Sequence, residues 1–157
     1  MHSIVVSPTA SKEERYQALL PQITALLSGE FDPIANMANV AAALKEVFDF
    51  LWVGFYLVKG EMLVLAPFQG PVACTRIGYG KGVCGTAWAT GETQIVPDVA
   101  LFPGHIACNT KSRSEIVLPI KKGETTVAVL DIDSEHLNAF DQTDSVYLEA
   151  IVSLLEI

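Results

Sequence analysis

The chain has 157 residues, of which half are hydrophobic and 18% charged, and a net charge of −8. Such a composition can bury a core without staples and is unlike that of a disordered chain. The negative charge argues against nucleic acid or an anionic membrane as partner, and no apolar run approaches the roughly 20 residues that span a bilayer.

The opening Met1-His2-Ser3-Ile4 lacks the basic and apolar regions of a signal peptide. A cytoplasmic protein with a single domain over residues 1–157 is therefore expected, with His2 near a frayed end. Stable disulfides are not expected there, and an odd count of three cysteines fits reactive or buried thiols better than a framework. Residues 11–28 predict a helix: Tyr16, Leu19, Leu20, Ile23, Leu26 and Leu27 recur at helical spacing, and Ser11 with Glu14 resembles a capping box. Pro21 should kink it and Gly29 should end it. Asp32-Pro33 opens a second helix, with Ile34, Met37, Ala38, Ala41, Leu44 and Phe48 as its buried stripe. The period then changes. Phe50 to Val58 is almost wholly apolar and predicts a central strand covered on both faces. Lys59-Gly60 turns the chain into a second strand, Glu61 to Phe68.

Gln69 to Gly82 carries four of the eleven glycines and predicts a loop. A short helix from Val83 to Thr90, stopped by Gly91, and a short strand from Thr93 to Val96 follow. Pro97 to Ser114 is a long irregular connection, a length that often marks a lid or binding loop. Glu115–Ile120 and Glu124–Asp133 predict strands joined at Lys122-Gly123. Asp141 caps a last helix with a stripe of Val146, Tyr147, Ile151, Leu154 and Leu155. Hairpins between helical segments predict an α+β fold, an antiparallel sheet with two amino-terminal helices and one carboxy-terminal helix packed on it.

The chemistry gathers around Cys108. It stands in Ile106-Ala107-Cys108-Asn109-Thr110-Lys111-Ser112-Arg113-Ser114-Glu115, among small polar residues and two cations. Nearby cations favour a thiolate and a loop leaves it reachable, although Lys111 and Arg113 also fit plain solvated charges. Cys74 and Cys84 lie in Gly-rich sequence. Strand alternation puts Trp52, Gly54, Tyr56 and Val58 on one face of the central strand, where Gly54 leaves a side-chain-sized gap between two aromatics, which for one strand alone fits core packing around a small residue better than a pocket. The same rule puts Asp131 and Asp133 on one face of the last strand, and Glu115 opens its neighbour. An unpaired buried charge is costly, so Asp131, still inside Val-Leu-Asp-Ile-Asp, points to a site; Asp133 fits a site or a strand emerging into solvent. Crowded carboxylates hold a proton more tightly and could also receive an amine. Zinc is not expected, because there is no Cys-x-x-Cys pair and His105 and His136 fit surface loop positions. A His105–Cys108 hydrolase pair is a weak signal, and Gly78, Gly80, Gly82 and Gly85 lack the full phosphate-binding patterns. Thiol redox chemistry, in which a sulfenic acid is resolved by a second cysteine, needs fewer assumptions.

Seven strings carry a resemblance. They are Trp52-Val53-Gly54-Phe55-Tyr56, Pro67-Phe68-Gln69-Gly70-Pro71, Ala73-Cys74-Thr75-Arg76-Ile77, Gly82-Val83-Cys84-Gly85, His105-Ile106-Ala107-Cys108, Ser112-Arg113-Ser114-Glu115-Ile116 and Val129-Leu130-Asp131-Ile132-Asp133-Ser134. Together, from about Asp32 to Asp144, they resemble the free methionine-(R)-sulfoxide reductases, which are single GAF-domain enzymes. The resemblance implies a GAF-like sheet, and neither a cofactor nor a metal is expected. It implies that Cys108 is the catalytic cysteine, that Cys74 resolves its sulfenic acid as a disulfide, that Cys84 is auxiliary, and that thioredoxin is the reductant. Trp52 and Tyr56 would line the pocket for free methionine sulfoxide. Glu115 and Asp133 would protonate the departing oxygen, Asp131 would hold the ammonium, and amides of the Ile106–Cys108 loop, at Ile106 and Ala107, would take the carboxylate. A homodimer through the apolar amino-terminal helices is also suggested. Two rivals stay open: a GAF-type sensory module, which usually accompanies an output domain for which 157 residues leave no room, and a thiol redox sensor without turnover.

Overall fold

The computed structural model describes residues 3–157, so the expectation for His2 lies outside it. Helix α1 spans Lys12–Leu27. Ser11 Oγ accepts the Glu14 amide at 3.2 Å while the Glu14 carboxylate accepts the Ser11 amide at 3.4 Å, which forms the expected capping box. Pro21 lies within α1 without ending it, and Gly29 follows its last turn at φ +81°. Helix α2, Pro33–Val47, starts where Asp32 Oδ1 accepts the amides of Ile34 and Ala35 at 2.8 and 3.0 Å. Its stripe differs from expectation. Ile34 and Ala38 are exposed, whereas Asn36, Val40 and Ala43 join Met37, Ala41 and Leu44 inside. The helix meets both the sheet and α1, so its buried arc is rotated away from the Ile34–Ala38 line.

Strands β1 (Trp52–Lys59) and β2 (Met62–Gln69) form the first hairpin. Within the expected loop over 69–82 the structure has a further short strand, β3 (Arg76–Gly78), paired with Met62–Val64. Helix α3 (Gly82–Thr90) ends at Gly91 in the left-handed region. Strand β4 (Gln94–Val96) and one 3-10 turn (Val99–Leu101) lead through the long connection to β5 (Ser114–Lys122) and β6 (Thr125–Ser134). Helix α4 (Gln142–Val152) closes the chain from an Asp141–Asp144 capping box. Its stripe also departs from expectation: Val146 and Leu154 are exposed, and Leu148, Ile151, Val152 and Leu155 are buried, because α4 packs against α1 and β5 together.

The six strands run in the order β3-β2-β1-β6-β5-β4, every pair antiparallel. This is the expected α+β architecture. Helices α1, α2 and α4 cover one face, where Leu19, Ile23, Met37, Leu44 and Leu148 meet Val53, Phe55, Leu118 and Leu130 in the larger core. Asp144 ties two of those helices together. Its carboxylate accepts the Tyr16 hydroxyl at 2.7 Å, the Lys12 ammonium at 2.6 Å and the Asp141 amide at 2.9 Å. The other face carries a smaller cluster of Trp52, Tyr56, Leu63, Val83, Ala87, Val117 and Val129, roofed by α3 and the loops.

Candidate active site

The sheet register builds the floor. Trp52 pairs with Asp133, Asp133 with Glu115, and Glu115 with Val96, so these four form one row across β1, β6, β5 and β4. The next row is Gly54, Asp131 and Val117. Directly opposed residues project to the same face, so the indole and three acids share the face under α3. The first turn of α3 adds Cys84. Its Sγ and one oxygen each from Glu115 and Asp131 lie within 4.8 Å of one another. Cys84 is thus a buried helical residue and not part of a Gly-rich loop.

The loop over residues 97–114 forms one side of a cavity, bringing His105, Ile106, Cys108, Asn109 and Ser112 to it. Val72 and Ala73, from the β2–β3 connection, line it as well. Cys74 follows them and is bonded to Cys108, with 5.3 Å between the two Cα atoms. No stable disulfide was expected from the compartment and the cysteine count; the pair formed is the one that the family resemblance implied. Trp52 Nε1 donates to the Pro71 carbonyl at 3.0 Å, and its ring stacks on Tyr56 and Phe68. Tyr56 donates its hydroxyl to the Cys74 carbonyl at 2.9 Å, so it steadies that loop while its ring lines the cavity. The space beside Gly54 is filled by core packing, the reading favoured from the strand alone. A Cβ there would stand 2.3 Å from Phe68 Cβ and 2.7 Å from the Trp52 ring.

The electrostatics are those of a crowded acid cage. Burial and then Asp133 push the Glu115 carboxyl up to about 8. Burial and then Glu115 raise Asp131 well above the usual carboxylate range. Burial and then Asp131 raise Asp133, against which the Ser112 hydroxyl, donating at 2.7 Å, works in the opposite sense. Burial raises the Cys84 thiol, with Asp131 adding to it. Asp131 Oδ1 has no hydrogen-bond partner. The pocket therefore holds protons that it can give up, and it favours a cation.

Several residues depart from their expected places. His105 lies in the loop as expected but is half-buried and turned to the cavity; its Nε2 lies 3.7 Å from Glu115 Oε2, and burial lowers its affinity for a proton. His136 is exposed as expected. Lys111 and Arg113 are exposed and in no ion pair among the described residues. Ile106 borders the cavity and packs against Gly82, but the side chain of Ala107 is exposed and does not line it. Ser112 is buried and carries a contact that sequence reasoning assigned to no residue. A polar residue two positions before a buried strand start is the faint signal that marked it.

The GAF domain family model matches residues 36–157. GAF domain-containing protein A of Dictyostelium discoideum is 63% identical over 93% of each chain. Free methionine-R-sulfoxide reductase of Escherichia coli is 46% identical over 93% of this chain and 89% of its own. The solved free methionine-R-sulfoxide reductase of Neisseria meningitidis, in complex with its substrate, superposes with a TM-score of 0.97 at 52% identity and covers 99% of this chain and 94% of that one.

Proposed function

The chain belongs to the GAF-domain family and, within it, to the free methionine-R-sulfoxide reductases, and from that premise we propose that this oxidoreductase reduces free L-methionine (R)-S-oxide through Cys108. The Cys74–Cys108 disulfide on the border of an acid-lined cavity is the observation that carries the reading. The Cys108 thiolate attacks the sulfoxide sulfur. Glu115 and Asp133 polarise the sulfoxide oxygen and give it one proton, and the resulting hydroxyl passes to Cys108 as a sulfenic acid while methionine leaves. The Cys74 thiolate then attacks that sulfur, closing the disulfide and releasing water. A thioredoxin dithiol reduces the disulfide by exchange. Overall, one sulfoxide and two thiols yield one thioether, one disulfide and one water.

Raised proton affinity at Glu115 and Asp133 supports their role as acids. Asp131, with an unpartnered buried oxygen, suits the substrate ammonium. Trp52 would pack on the methyl group and Tyr56 beside it. The Cys108 amide already donates to the Ile106 carbonyl at 3.1 Å, which leaves the amides of Ile106 and Ala107 for the carboxylate. Cys84, outside the disulfide, is auxiliary. Gripping a free ammonium and carboxylate leaves no exit for a peptide chain, hence a free amino acid as substrate. A homodimer would use the amino-terminal helices, where Phe31 and Ile34 are exposed.

A coupled assay with thioredoxin, both epimers and a methionine-sulfoxide peptide tests this. Wild-type protein should consume only the free (R)-epimer with stoichiometric methionine release, and Cys108→Ser should lose that turnover entirely. Turnover retained in Cys108→Ser, or equal use of the peptide, would sink the reading. An effector-binding module would show no turnover at all, and a redox sensor would form the disulfide without releasing methionine.

A further inference from the structure

We propose that the cavity also holds a site for one thiophilic divalent cation, formed by the Cys84 thiolate and the carboxylates of Glu115 and Asp131. The three come from α3, β5 and β6, so no sequence interval announces them. One ligand atom from each lies within 4.8 Å of the other two, and all three residues line the cavity. Small rotamer changes bring such donors around a four-coordinate ion, where sulfur stands at about 2.3 Å and carboxylate oxygen at about 2.0–2.2 Å.

Two observations beyond the clustering support this. Asp131 is 6% exposed and its Oδ1 has no partner, so a buried acceptor borders the cavity in want of a positive ligand. Cys84 is a buried thiol that the Cys74–Cys108 couple leaves unused. The acids also suppress one another's ionisation, and a double positive charge among them would relieve that. His105 Nε2 lies 3.7 Å from Glu115 Oε2 but outside the cluster of three, so the fourth position is left to solvent. A thiolate among the donors selects zinc over magnesium or calcium. On binding, the Cys84 thiol and the protonated carboxyls release their protons to solvent, and no electrons move. Glu115 and Asp131 also serve the substrate in the reading above, so cation and methionine sulfoxide should exclude one another; that consequence rests on that reading.

The oxidised protein provides a clean test. With Cys74 and Cys108 paired, Cys84 is its remaining thiol, so any thiolate-to-metal signal belongs to it. Titration with Co²⁺ should produce a sulfur-to-cobalt charge-transfer band saturating at one equivalent, and Zn²⁺ should bleach it. Cys84→Ser should lose the band, and Glu115→Gln and Asp131→Asn should each weaken binding at least tenfold, with circular dichroism confirming the fold. Wild-type protein alone gives a second readout, since Zn²⁺ should protect Cys84 from alkylation. No band in wild type, a band surviving in Cys84→Ser, unchanged affinity in both carboxylate variants, or unprotected alkylation would overturn the site. A band that methionine sulfoxide fails to displace would overturn the assignment of Glu115 and Asp131 to substrate and leave the cation site standing.

Discussion

Asp133 accepts a hydroxyl hydrogen bond from Ser112, and that contact partly offsets the burial and the Asp131 charge that raise its proton affinity. Such a bond to the charged form favours it by about 1 kcal/mol, somewhat less than one pH unit. Ser112→Ala should therefore raise the Asp133 value further and move the alkaline limb of the kcat–pH profile upward by about half a unit. A profile that keeps its position would separate Asp133 from the rate-limiting proton transfer. Glu115 makes a second residue-level prediction. Its ordinary value is 4.5 and its folded value about 8, so between the two the folded chain keeps a proton that the unfolded chain has released. Stability then falls as pH rises through that window, by up to about 1.4 kcal/mol per unit. Asp131 and Asp133 act in the same direction. His105, lowered from 6.5 by burial, acts in the opposite direction just beneath that value. Urea unfolding across the window should show a shallower slope for Glu115→Gln than for wild type. At this scale the acids were legible because strand alternation is a strict period that fixes the face of Asp131 and Asp133. His105 and Ser112 were not, because a loop has no period. Gly54 was legible as a small residue with the core packed around it, and Phe68, on the neighbouring strand, supplies that packing.

Helix ends were readable for a related reason. Ser11 with Glu14, Asp32 before Pro33, and Asp141 satisfy backbone amides locally, and the chemistry of a cap sits within four residues. The stripes of α2 and α4 were rotated because each helix is buried against two surfaces, and a one-face template cannot see the second. Strand β3 was missed because three residues among glycines carry no alternation; pairing with β2 alone makes them a strand. The contact between α1 and α4 depends on Asp144. Its side chain is 1% exposed and collects the Tyr16 hydroxyl, the Lys12 ammonium and the Asp141 amide. Asp144→Ala strands those donors and should cost about 2–3 kcal/mol, below the deepest buried pairs because Lys12 reaches solvent. The denaturant midpoint, at unchanged m-value, measures it. A loss under about 0.5 kcal/mol would mean that the apolar contacts of α1 and α4 suffice.

Across the whole molecule, the hairpins and helices in their order were enough to read an antiparallel sheet with helices packed on it. The pairing of Cys74 with Cys108 was not, since a separation of 34 residues says nothing about proximity and only the family resemblance implied it. That bond closes a long loop, and chain entropy gives it at most about 4 kcal/mol. Reduction should lower the thermal midpoint by about 8–16 °C for a chain of this size. Calorimetry of the oxidised form beside the dithiol-treated form reads the difference directly, and coincident midpoints would show that the reduced chain holds its loops by packing alone. The row joining Trp52, Asp133 and Glu115 has a hereditary consequence. Its spacing is owed to strand pairing, so lengthening the turn at Gly123 or the stretch around Asn138 leaves it untouched. Losing a single codon within β6 ahead of Asp131 would instead invert the strand, driving both aspartates among the helices and delivering Leu130 and Ile132 to the cavity. Descendants of this gene are free to drift at its bends, yet the reading frame of one strand is held rigid by geometry.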